Sequence, residues 1–205
     1  MSFWPLGRRH KAPDEARPAP VEAAATGLPL VELWTAAGRR TVAIDPGGRR
    51  MTDFLNGDPI VKVVLVDATG GDPPASLEPG PHHEWRDLDI DEVLLAFPPP
   101  QATDPRRRLH RPRQLIELRI GPFEVSGSVS VPPGAQAAGF LFRQGGRFEP
   151  VTRATVRDTR FELFEQRAEV VLVNLRRVDV LRDVGLAENV EADVAEGPDA
   201  KAPGG

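Results

Sequence analysis

Cysteine is absent from these 205 residues, and so is tyrosine. Without cysteine the chain has no disulfide framework, no thiolate nucleophile and no Cys-based zinc site, which suits a reducing compartment. Without tyrosine it lacks one of the usual general acids. Lysine occurs only as Lys11, Lys62 and Lys201, so the basic charge is almost all arginine, a bias that a GC-rich genome explains. No apolar run approaches the roughly 20 residues that span a bilayer, and the opening MSFWPLGRRHK has no apolar stretch of the secretory kind. The expectation is a cytoplasmic protein with no membrane span. No glycine-rich phosphate loop and no Gly-x-Ser-x-Gly elbow occurs either.

What the chain does have is turns, with 22 Pro and 19 Gly set against 40% hydrophobic residues. That balance still folds, and the length suits one ordinary domain or two small ones of about 70 to 90 residues. Two small domains match an internal likeness. Val42 to Leu55, VAIDPGGRRMTDFL, reads as a degraded copy of Val129 to Leu141, VSVPPGAQAAGFL. Each copy ends a strand in Pro and Gly and then sets apolar residues at i, i+3 and i+4, a short buried helical turn. Those residues are Met51, Phe54 and Leu55, then Ala137, Phe140 and Leu141.

In chain order, residues 1–27 form a Pro- and Ala-rich leader without a core-forming period, expected to be disordered. Phe3 and Trp4 ahead of Arg8, Arg9 and Lys11 are a candidate docking peptide. The first β-domain, 28–97, begins with a hairpin turning at Ala37 and Gly38. It continues through Ile60 to Ala68, whose β-branched run predicts a strand buried on both faces. A Pro- and Arg-rich linker follows at 98–113. In the second β-domain, 114–183, apolar or Gly positions 123 to 131 alternate with Glu124, Ser126, Ser128 and Ser130, predicting one buried and one wet face. Further strands are predicted at Phe148 to Arg157, Phe161 to Phe164 and Ala168 to Val173, and residues 184–205 form an acidic tail expected to be disordered. LDIDEVLL at 88 to 95 falls on VNLRRVDV at 173 to 180. The fold class expected is all-β: two tandem small barrels or rolls, SH3- or Sm-like by analogy, each with one short helical turn.

Val131-Pro132-Pro133-Gly134, Phe140-Leu141 and Val173-Asn174 resemble a family of uncharacterised small bacterial β-domains, and Asp53-Phe54-Leu55-Asn56 resembles the same pattern. The resemblance spans both copies, about residues 30 to 183, and implies architecture without an activity. The first copy departs from it at Asp45 and Asp89, where the pattern has Pro and Asn.

Charge is unevenly spread. Residues 28–97 carry six basic and twelve acidic side chains, a net −6, while the linker carries five and one, a net +4. The second domain stands at +1 and the tail at −4. Arg106, Arg107, Arg108, Arg111 and Arg113 are the sharpest local signal, because guanidinium forks match phosphates or the acidic first domain. Nucleic acid is disfavoured by the net charge of −4 and by the lack of interleaved aromatics. Arg107 and Arg111 also satisfy the Arg-x-x-x-Arg half of the pattern in PilZ cyclic-dinucleotide receptors, but the following Asp/Asn-x-Ser-x-x-Gly is missing. His82 and His83 are adjacent on an extended stretch and point apart, which is a poor metal site. Ser126, Ser128 and Ser130 have no accompanying base, and Asp89 and Asp91 sit in a corner where Asp favours turns.

The reading is therefore a non-enzymatic protein-interaction or assembly module, with no catalytic residues, no metal and no cofactor. Its partner is another protein or a second copy of itself. Nucleic-acid or cyclic-nucleotide binding through the arginine linker, and a small hydrolase, stand as alternatives. Phe3, Trp4 and the five linker arginines are its candidate interaction residues.

Overall fold

The structure, a computed structural model, describes residues 27–66, 76–78, 83–100, 112–143, 146–161 and 164–186. It is almost all antiparallel sheet. The strands are β1 (Leu28–Thr35), β2 (Gly38–Ile44), β3 (Ile60–Val66), β4 (Ser76–Leu77), β5 (Trp85–Asp89), β6 (Val93–Phe97), β7 (Arg113–Ile120), β8 (Phe123–Ser130), β9 (Phe148–Asp158), β10 (Glu165–Asn174) and β11 (Val180–Leu186). Two short helices, α1 (Met51–Leu55) and α2 (Ala137–Arg143), bridge β2 to β3 and β8 to β9.

Both helices follow a break that only glycine makes cheaply. Gly47 and Gly48 have φ of 59° and 75°, and Gly134 has φ of 78°. Helices this short do not stand alone in water, so burial has to hold them. Met51, Phe54 and Leu55 go into the core beneath α1, as do Ala137 and Leu141 beneath α2. Two side chains also pin the start of α2: Gln114 Oε1 accepts from Ala137 N at 2.7 Å, and Asp183 Oδ1 accepts from Ala138 N at 3.0 Å.

Strand pairing gives one path, β11-β7-β8-β9-β10-β6-β1-β2-β3-β5, with β4 added beside β1. The sheet is open and runs unbroken through the β10·β6 pair, so two separate closed barrels are not what the pairing shows. Read in one direction along the path, β11-β7-β8-β9-β10 and β6-β1-β2-β3-β5 follow the same order, last strand first. A shared bond marks the same place in each half. Ile90 N donates to Pro59 O at 2.9 Å, and Leu175 N donates to Arg147 O at 2.7 Å. Both bonds lie at a 3-10 turn, over Ile90–Glu92 and over Leu175–Arg177.

The two halves bury opposite faces of this sheet. One core gathers Ile116, Leu118, Phe123, Val125, Val151 and Val173, the other Val31, Val42, Ile44, Leu55, Val63 and Leu88. At the middle the strands serve both. Leu95 and Phe97 of β6 enter the first core and Val93 and Ala96 the second, so all five residues of β6 are buried.

Three sequence expectations change here. β3 is buried on both faces only in its middle, where Val63 enters the core under α1 and Val64 packs on the other face with Leu28, Leu30 and Ala43; Ile60, Lys62 and Leu65 face solvent. Phe161 and Phe164, the described ends of the expected strand at Phe161 to Phe164, lie between β9 and β10 and outside any strand, and Asp158 N donates to Phe164 O at 3.3 Å. Ser128 is not on the wet face. It is buried at the point where the β8–β9 register shifts between Ser126 and Ser128, and Thr152 Oγ1 donates to its carbonyl at 3.0 Å. β4 lies between β3 and β5, and β11 continues three residues past 183.

Candidate interaction surface

The seam between the halves is polar as well as apolar. β10 pairs with β6 at only two positions, Leu172 with Ala96 and Val173 with Leu95. Side chains extend the joint beyond them. Asn56, the C-cap of α1, donates from Nδ2 to Phe148 O at 2.9 Å, and its Oδ1 accepts from Phe148 N at 2.6 Å. The fully buried Asn174 accepts from Arg176 N at 3.1 Å, capping its own 3-10 turn, and donates from Nδ2 to Val93 O at 2.9 Å. Arg147 Nε lies 3.2 Å from Asp91 Oδ1, close enough for charge attraction but without hydrogen-bond alignment.

Aromatic rings seal the rim of the seam. Trp34 of β1 lies 4.6, 5.0 and 5.7 Å, centroid to centroid, from Phe97, Phe123 and Phe164. The Arg39 guanidinium stacks on Trp34 at 4.1 Å and on Phe164 at 3.6 Å. Below it Asp158, 1% exposed, receives a two-pronged contact from Arg160 at 2.8 and 3.0 Å, and Arg160 also reaches Ala36 O. The hydrogen-bonded Arg160 pulls the Asp158 carboxyl below its ordinary value against the opposing effect of burial, and Asp158 in turn pushes Arg160 up. These charged groups are spent on each other, so this cluster is a fastening between β1–β2 and the β9–β10 turn.

What lies open is at the two ends of the sheet. Among the described residues, β5 and β11 each have an edge with no strand beside it. Beside β5, Ile60 is 60% exposed and Trp85 41%, and together with Asp45, Asp58 and Lys62 they line a shallow cleft of about 410 Å³. β5 itself carries two exposed ion pairs, Lys62 with Asp87 at 2.9 Å and Arg86 with Glu84 at 3.0 Å. At the other end, Phe142 of α2 is 57% exposed, and Val184 and Leu115 stand out beside β11.

A second cleft of about 370 Å³ lies on the outer face of β11-β7-β8-β9 and holds Arg119, Arg157 and Arg182 among Glu117, Glu124 and Ser126. Register sets each arginine opposite an acid: Arg182 against Glu117, Arg119 against Glu124, and Arg157 against both Glu124 and Glu165. The Arg157 contact at 3.2 Å is the main cause holding Glu165 below its ordinary value. An alternating ladder of this sort neutralises itself and leaves little surplus charge for a polyanion.

Of the residues singled out in the sequence, Arg113 opens β7 half-buried, while Arg106, Arg107, Arg108, Arg111, Phe3 and Trp4 lie outside the described residues. Among the described residues no group of three or more His, Asp or Glu is placed to hold a metal ion. None of their helices is long and apolar enough to cross a membrane. Sequence reasoning passed over Ile60 and Trp85; the signal available was a large apolar residue next to charges, Trp85 before Arg86-Asp87 and Ile60 before Lys62. No family model, curated protein or solved structure matches this chain.

Proposed function

We propose that this chain is a non-enzymatic protein-interaction or assembly module of the cytoplasm, built from two tandem five-stranded units, 28–97 and 114–186, that act through their free sheet edges. The observation that carries the reading is the edge of β5, which no strand among the described residues covers, with Ile60 and Trp85 exposed beside it. A free edge offers a row of unpaired backbone donors and acceptors, and adjacent apolar side chains add the area that makes pairing selective. The ladder on the outer face of the second unit, in contrast, is a solvated surface whose ion pairs are screened by water and add little.

The test is a photoreactive phenylalanine analogue placed at Trp85, with the same residue at Glu117 as the control, cross-linked in the source cell. Discrete protein adducts from position 85 and none from position 117 are expected. Equal labelling from both positions, or none from either, overturns the reading.

A further inference from the structure

The seam inside the molecule is a template for a second seam that the molecule leaves unmade. In the path, the fourth strand of one half (β10) meets the last strand of the other (β6), and the strands left free are a fourth strand (β5) and a last strand (β11). We propose that the partner is a second copy of this chain, whose β5 edge docks head-to-tail on β11 in the manner of β10 on β6. This rests on the interaction reading above and commits it to one occupant.

The corresponding residues fit one another. Leu88 and Val180 hold the places of Val173 and Leu95, so the central apolar pair is kept. Phe142 stands where Asn56 stands, two residues past the matching Phe140 and Phe54, and Ile60 opens β3 as Phe148 opens β9. In the inner seam Asn56 grips the Phe148 backbone; in the outer one two side chains that are 57% and 60% exposed come together. Polar contact has been exchanged for apolar contact on both sides at once.

Charge is exchanged in the same paired way. Arg147 of the second half faces Asp91 of the first in the inner seam. Arg176 holds the place of Asp91 and Arg177 that of Glu92, while Pro59 next to Asp58 holds the place of Arg147. Asp89, in the place of Asn174, accepts from Asp91 N at 2.9 Å as the cap of its turn, and has no N–H to give a facing carbonyl. Arg176 and Arg177 on the β11 side thus meet Asp58 on the β5 side, the reverse of the inner arrangement, while Asp89 gives up the bond that Asn174 makes to a facing carbonyl. The asymmetric count, −6 on 28–97 and +1 on 114–183, points the same way.

Such a contact uses different surfaces on the two partners, so it propagates into a ring or a filament and does not stop at a dimer. In sedimentation velocity over a micromolar-to-millimolar series the purified full chain should exceed the mass of a dimer. Ile60→Asp alone and Phe142→Asp alone should each be monomeric, with unchanged circular dichroism because both side chains are exposed. Mixing the two variants restores one intact joint per pair and should yield dimers and nothing larger. A parent chain that stays monomeric, variants that assemble like the parent, or a mixture that fails to pair would each overturn the proposal. Adducts from position 85 to a different protein would then leave the interaction reading standing without the second copy.

Discussion

Asn56 and Phe148, 92 residues apart, are joined by two hydrogen bonds from one amide to one residue's backbone, at 2.6 and 2.9 Å. The pattern imitates a strand pair where no strand exists. It lets a helix C-cap in the first half complete the backbone pairing at the start of β9.

Asn56→Leu removes both partners at once and strands a partly buried N–H and C=O, each costing about 1–3 kcal/mol when unmet. Urea unfolding should show a fall in midpoint without a change in slope. Asn56→Asp keeps the acceptor for Phe148 N but sets a carboxylate oxygen against Phe148 O, so it too should lower the midpoint.

Asn174→Asp should separate capping from joining. The carboxylate still accepts from Arg176 N, so the 3-10 turn survives, but it sets negative charge against Val93 O where Nδ2 now donates at 2.9 Å. A loss of about 2 kcal/mol or more is expected, since a buried group is left facing a like partner. Hydrogen exchange should report faster opening of β6 and β10 while the turn amides stay protected.

The Asp158–Arg160 contact gives stability a pH dependence of definite sign. Asp158 titrates lower in the folded chain than its unfolded value of about 3.9, so its contribution is full above that pH and fades as pH falls through the folded value. Asp158→Asn should lower the melting temperature at neutral pH and flatten the acid limb below about pH 4. An unchanged acid limb would show that other carboxylates set it.

Gly127 sits where β8 shifts register against β9. A Cβ there would lie 2.5 Å from Val151 Cγ1 and 3.0 Å from Thr152 O. Gly127→Ala should therefore cost about 1–3 kcal/mol through overpacking. At Gly57, by comparison, the nearest atoms lie at 3.2 Å or beyond, so Gly57→Ala should cost less in the same denaturant titration.

Much of the strand content was legible because it is local. The Ala37-Gly38 turn, the helical turns at Met51 and Ala137, and the corners at Asp89 and Asn174 all follow from residue type and spacing, and all are present. The β10·β6 pair was not legible, since it brings residue 95 against residue 173 and nothing in either strand names its partner. One clue did exist in β6: Val93 to Phe97 has no polar position, as a strand covered on both faces requires. The β-branched run at Ile60 foretold two-sided burial that holds only at Val63 and Val64, because β propensity reports a fit to a pleated surface and says nothing of how far each face is covered. Trp85 and Ile60 escaped notice because exposure belongs to the assembled sheet.

The two-sided burial of β6 has a consequence for how the chain must emerge from a ribosome. Leu95, Phe97 and Trp34 take their cover from β8, β9 and β10, which are translated only after residue 122. For that interval a finished first half displays an apolar stripe beside a bare strand, the kind of surface that recruits chaperones or other nascent chains. The speed at which β7 to β10 are made and emerge therefore sets how long the unfinished molecule stays adhesive.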